Sequence, residues 1–349
     1  MWIKFLDNIQ KYLFFWVTGA IVLGLLQVLV FGGNPFNPLI CLLAALIMIY
    51  PSLVPLSFDK LKGAIKRYDI ILISILLNFV LAPFLAIVIG YLFLSQDPLL
   101  WLGLILLSLL PGGGMVTTWA LKSKADMPTT VGIIFFNLLL AILITPFAMS
   151  FALNKLTGEF LQKTEEATCA LSEVSSGVAS CGLGGGVTPI KIALPVFAIV
   201  VIPLILAYFT QKILKKKKGE EWLNKKKRFF GEFSNLGLVI ILFVLMSLES
   251  NLILFSEPQL IIRSLMALVL FYFITLAISL FLYKNFFNNT DGKALVWGSY
   301  LRYITLALGL GISLIYGNSN LGGMIIIIVL SYFIQIPISF WLVKFLKNN

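Results

Sequence analysis

The feature that most constrains this chain is its run of apolar blocks long enough to cross a bilayer. Leu13 to Phe31 and Ile70 to Leu94 are two of them, and a helix needs roughly 20 mostly apolar residues to span the hydrocarbon core. The chain is 60% apolar and only 12% charged, where a soluble domain carries about 25% charged residues. It reads as an all-α polytopic membrane protein. Ten spans are predicted, at about 13–31, 38–57, 69–94, 99–122, 129–153, 189–213, 234–254, 259–283, 294–316 and 320–343.

Orientation follows from Lys and Arg, which favour cytoplasmic loops. With the N-terminus inside, 21 of the 26 basic residues fall inside, and only Lys155 and Lys163 fall outside. Lys191, Arg263 and Arg302 lie in or at the edge of spans. A wrong span count would scramble this alternation. The chain is therefore expected to be a multi-pass protein of the cell membrane with both termini in the cytoplasm. The outer segment 154–188, rich in Glu, Ser and Gly, divides it into five spans and five spans. Residues 1–153 form one five-helix repeat, 154–188 an extracytoplasmic linker, and 189–349 a second repeat. An odd number per half inverts one half against the other, a common plan for transporters.

Composition also excludes. There is no His, and Cys41, Cys169 and Cys181 have no metal-ligand spacing, so no metal site and no cofactor is expected. Cys169 and Cys181 both fall outside, where a disulfide could form. The start, MWIKFLDNIQK, is short, charged and amphipathic, does not resemble a cleavable signal, and is expected to run directly into the first span. Net charge is +11, but the main basic cluster, Lys215 to Lys218 with Lys225 to Arg228, sits in a loop between two spans. That position suits anionic lipid rather than nucleic acid. No carboxylate pair and no nucleophile–base set suggests an enzyme.

Two spans carry polar chemistry near the midplane. The fourth is interrupted by Pro111, Gly112, Gly113 and Gly114, followed by Met115, Thr117 and Thr118. Proline removes a helix hydrogen bond and glycine weakens a helix further. Backbone freed in this way survives in lipid only where protein or a cavity covers it. The ninth span holds Arg302 near its middle, where a charge costs roughly 2.5–3.5 kcal/mol on insertion scales. No acid lies mid-membrane to pair with it. Arg302 therefore points to an anionic or strongly polar ligand, or to the carbonyls of a broken helix. Asn78, before Pro83 in the third span, and Asn137 in the fifth could bond a neighbouring helix or touch substrate. Arg263, one turn into the eighth span, is expected to snorkel outward.

At these residues the chain resembles the arsenite-permease branch of the bile acid:sodium symporter superfamily. LIMIYPSLVPLSFDKLKGAIK, NFVLAP from Asn78, GMVTTW after the break, VVIPLILAYFTQ and GLVIILFVLMSLES carry the resemblance. It implies two inverted five-helix repeats in which broken helices four and nine cross near the midplane beside the substrate site. A panel domain would rock against this core. The residues it marks for substrate are Asn78, Pro111 to Met115, Thr117, Thr118, Arg302, Tyr303 and Thr305. The chain departs from the branch in two places. Gly112 or Gly113 stands where the permeases carry a Cys, and Thr305 or a neighbour stands where they often carry a Glu. RYITLAL resembles the Arg-Asn-x-Ser-Leu-Ala form of less characterised relatives, with Tyr303 in place of the Asn. Sodium-coupled members place an acid where this chain has Gly298 and Ser299.

The leading expectation is a secondary transporter working by alternating access, exporting a small anion or oxyanion. Arsenite is one candidate, weakened by the missing Cys. The coupling ion, proton or sodium, is left open. The rival within the class is a sodium-coupled organic-anion symporter, and outside it a channel or a membrane sensor.

Overall fold

The computed structural model describes residues 12–31, 49–51, 53–54, 65–156, 189–248, 258–287, 289–315 and 322–348. The second span, apart from five residues, the linker 157–188 and both outer Cys lie outside these residues. Among the described residues there is no strand. The helices are α1 (Leu13–Phe31), α2 (Tyr68–Phe93), α3 (Pro98–Leu109), α4 (Gly114–Lys122), α5 (Met127–Leu156), α6 (Pro189–Lys218), α7 (Glu220–Leu248), α8 (Pro258–Phe286), α9 (Thr290–Tyr300), α10 (Ile304–Ile315) and α11 (Gly322–Asn348).

The surface pattern is inverted with respect to a soluble bundle. On α2, Leu72, Leu76, Val80, Phe84 and Tyr91 form one exposed stripe, while Ser74, Asn78, Ala82 and Ala86 are buried. On α8, Ile262, Met266, Val269 and Phe273 face out and Ser264, Thr275 and Ser279 face in. Large apolar side chains outside and small or polar ones inside is the arrangement lipid favours, because interhelical contact there depends on close approach and buried hydrogen bonds. Four helices, within α2, α5, α8 and α11, are long and apolar enough to cross a membrane. The chain is thus a multi-pass helical membrane protein.

The helices form two groups. α1 packs on α7, and α6 packs on α7, α5 and α10. The other group is a bundle in which α2 meets α3, α5 and α8, and α11 meets α3, α8 and α10. The second span joins the first group by its described residues: Tyr50 Oη lies 2.7 Å from Thr210 Oγ1, and Gln211 donates to the Val54 carbonyl at 3.3 Å.

The loop expected after residue 213 is helical instead. α6 runs on through Lys215 to Lys218, and α7 starts at Glu220, well before the predicted span at 234. Lys and Glu are good helix formers, so the helix continues past the apolar stretch. Gly219, at φ +84°, makes the left-handed turn that ends α6.

Candidate functional site: the crossing of two interrupted helices

The fourth and ninth predicted spans are each broken into two short helices, and the breaks meet. α3 stops at Leu109 and α4 starts at Gly114; α9 stops at Tyr300 and α10 starts at Ile304. Between them Pro111 and Arg302 pair as a single antiparallel bridge, and the Tyr303 N–H donates to the Leu110 carbonyl at 3.0 Å. Pro111 has no N–H of its own to offer. Four helix ends converge here. The C-terminal ends of α3 and α9 carry partial negative charge, and the N-terminal ends of α4 and α10 partial positive charge.

Arg302 is 3% exposed. Its Nη1 donates to Asn78 Oδ1 and to the Ser108 carbonyl, both at 3.1 Å, and its Nη2 donates to the Ser299 carbonyl at 2.8 Å. The guanidinium lies over the Phe271 ring, 5.4 Å from its centroid. Ser108 and Ser299 are in the last turns of α3 and α9. Among the described residues no carboxylate pairs with Arg302. Three bonds to a charged donor contribute roughly 1.5–3 kcal/mol each. Together they outweigh the roughly 2.5–3.5 kcal/mol that the charge costs on insertion. The broken-helix carbonyls, one of the two readings left open by the sequence, are the partners found.

Asn78 is placed by an irregularity in α2. Residues Leu77–Leu81 form a five-residue π-helical turn just before Pro83, whose missing N–H loosens the local ladder. From this turn Asn78 Nδ2 donates to the Gly298 carbonyl at 3.0 Å and to Ser74 Oγ at 3.3 Å. Asn137 on α5 donates to the same Ser74 Oγ at 2.7 Å. Asn137, Ser74, Asn78 and Arg302 are therefore one buried polar chain.

Gln335, on α11, holds the backbone of Arg302 from the other side. Its Oε1 accepts from the Arg302 N–H at 2.9 Å and from Tyr272 Oη at 2.9 Å, and its Nε2 donates to the Arg302 carbonyl at 3.3 Å. The side-chain amide takes the place a neighbouring peptide would have in a sheet. The Tyr300 hydroxyl bonds the Gln335 carbonyl at 3.2 Å.

Beside the crossing, where α4 and α10 begin, lies a cavity of about 20 Å³, about the room of one water. Gly112, Gly113, Met115, Arg302, Tyr303 and Thr305 line it, all predicted site residues. Tyr332, Gln335 and the apolar side chains of Val116, Leu301 and Ile304 complete it. The Thr305 and Tyr332 hydroxyls and Arg302 Nε, on residues that line it, are buried and have no hydrogen-bond partner among the described residues. A Cβ on Gly113 would run into the Tyr303 ring, and one on Gly112 into the Val116 side chain and the Leu301 carbonyl. The volume a Cys would need at either position is thus already filled.

Of the other predicted residues, Asn78 bonds Arg302 and does not line the cavity. Thr117 and Thr118 are partly buried on α4, and the Thr117 hydroxyl donates to the Gly114 carbonyl at 2.7 Å. Arg263 reaches Gln96 Oε1 at 2.7 Å on the exposed surface, in keeping with snorkelling. Sequence reasoning missed Gln335, Tyr332 and Phe271. Gln335 did leave a signal, as the one amide side chain in the apolar stretch of α11.

A multi-pass helical protein whose buried polar site sits where two interrupted helices cross has the architecture of a secondary transporter. Residues 42–256 match the Sodium Bile acid symporter family. The chain belongs to that family and is a secondary membrane transporter. It is similar to the Arsenical-resistance protein Acr3 of Corynebacterium glutamicum, 28% identical over 285 residues, covering 77% of this chain and 70% of that protein. It is also similar to the Acr3 of Alkaliphilus metalliredigens, 23% identical with 96% and 91% covered. An uncharacterized transporter of Synechocystis is 23% identical, with 99% and 90% covered.

Proposed function

We propose that this chain exports a small oxyanion or its hydroxylated acid by alternating access, with arsenite-type metalloid hydroxides as the leading substrates. The observation that carries the reading is the cavity beside the crossing. Two hydroxyls and one guanidinium N–H on its lining residues are buried without partners among the described residues, near the positive ends of α4 and α10. Such a site can bond several oxygens of one small solute. Among the described residues that line it there is no thiol, so a metalloid would be held through its hydroxyl groups. The arsenical-resistance relatives support this substrate class. The size of the cavity suits a closed state, and rocking of the α1, α6 and α7 group against the bundle would open it.

The ten-span inverted repeat, with the linker at 154–188 and both termini cytoplasmic, is part of the proposal. The helix pairings support it. α2 meets α3 as α8 meets α9, α2 meets α5 as α8 meets α11, and α5 meets α9 as α11 meets α3. Exchanging the halves leaves this set unchanged. Asn78, Pro111 to Met115, Thr117, Thr118, Arg302, Tyr303 and Thr305 remain the proposed site, with Tyr332 added. The test is uptake into everted vesicles, which reads export. Arsenite or antimonite accumulating above vesicles without the protein is expected. Accumulation of organic anions alone, in vesicles that exclude both metalloids, would overturn the substrate class.

A further inference from the structure

The partners of Arg302 form a set that recognises cations. Two are backbone carbonyls at the ends of the half-helices α3 and α9, one is the side-chain oxygen of Asn78, and the last is the face of Phe271. Each is neutral and electron-rich. Half-helix C-terminal ends and unwound carbonyls are what transporters of interrupted-helix design use to coordinate a dissociable cation, and ring faces attract cations as well. Here the cation is covalently attached and buried, with Nη1 and Nη2 both bonded to this set. The alternative, an arginine buried for structure alone, would gain more from a carboxylate than from three neutral oxygens. The chain does make such a pair elsewhere, between Arg67 and Asp291 at 2.8 Å.

We infer that the Arg302 guanidinium is a built-in cation, standing where a carrier of this design would bind a monovalent ion, so that this transporter works without one. The inference rests on the carrier reading above and deepens it, and it runs against the sodium-coupled symporter as the reading of this chain. Two consequences follow. The native protein is indifferent to sodium. Removing the side chain exposes an oxygen cage lined by the Ser108 and Ser299 carbonyls and Asn78 Oδ1, and this cage takes up a free cation in its place.

The experiment compares melting curves of purified native, Arg302→Ala and Arg302→Lys protein in choline chloride, in sodium chloride, and in choline chloride with millimolar methylguanidinium. It needs no known substrate, so it stands even if the metalloid reading fails. The native and Lys variants should melt at the same temperature in all three. Arg302→Ala should melt lower in choline and recover part of the loss with methylguanidinium or sodium. If Arg302→Ala does not fold, the shorter and uncharged Arg302→Gln takes its place, with the same recovery expected. A sodium-dependent rise in the native melting temperature would overturn the inference, because the cation site would then lie elsewhere. A variant that neither cation stabilises would overturn it too.

Discussion

The two flanks of the crossing are built from the same pair of interruptions and differ in how far their polar groups are bonded. Where α3 and α9 end, Arg302 is bonded to Asn78 and to the Ser108 and Ser299 carbonyls, Gln335 brackets its backbone, and the Ser299 hydroxyl is left without a partner among the described residues. Where α4 and α10 begin, the Thr305 and Tyr332 hydroxyls are buried without partners among the described residues. An unsatisfied buried polar group costs about 1–3 kcal/mol, and close packing would normally remove it. The difference assigns the flanks different work. The better-bonded flank holds the two breaks together, and the other flank keeps polar groups ready for a solute.

The strongest way to break the comparison is Gln335→Leu on the better-bonded flank. The change strands the Arg302 N–H and the Arg302 carbonyl and takes one partner from the Tyr272 hydroxyl. At about 1–3 kcal/mol for each stranded group, less whatever relaxation recovers, a loss of about 3–4 kcal/mol is expected. Denaturant unfolding of the purified protein measures it. A loss below about 1 kcal/mol would mean that the bridge between Pro111 and Arg302 holds without the clamp.

A smaller effect is expected between the flanks, at Gly113. Gly113→Ala drives a Cβ into the Tyr303 ring, and overpacking of this kind costs about 1–3 kcal/mol. Combining it with Tyr303→Ala should remove most of that cost, giving a coupling energy of about 0.5–3 kcal/mol in a double-mutant cycle. Additive single effects would show that the ring does not own this space. The pair also sharpens the substrate question, because Gly113→Cys with Tyr303→Ala would return a thiol to the crossing.

How far these contrasts were legible in the sequence depended on their range. The break at Pro111 to Gly114 was readable because proline and glycine act on their own backbone. Arg302 was readable as a charge with no acid near it. Its partners were not. Asn78 and Gln335 lie 224 and 33 residues away, and nothing local marks a side-chain amide that will bond a distant backbone. Asn78 carried equal readings as helix bond or substrate contact, and only the π-helical turn decides which way it points. The helical continuation through Lys215 to Lys218 was missed for a different reason. Span prediction follows hydropathy, whereas helix propensity does not stop where apolar residues do.

The last prediction is the smallest in energy and reverses sign. Tyr332→Phe and Thr305→Val each delete a hydroxyl that has no partner among the described residues and keep most of the side-chain volume. On the better-bonded flank the deletion of a bonded group destabilises. Here it relieves a desolvation penalty of about 1–3 kcal/mol, offset in part by lost packing around the removed oxygen. Stability should therefore hold or rise by up to about 1 kcal/mol in unfolding experiments, while metalloid accumulation in everted vesicles falls several-fold. The opposing directions are the point of the measurement, since a damaged fold lowers both together. If both variants lost stability, the two hydroxyls would have partners within the protein, and the flanks would differ only in geometry. If stability rose and transport held, the solute would pass without touching either group, and the recognising groups would have to be Arg302 Nε and the helix ends at Gly114 and Ile304.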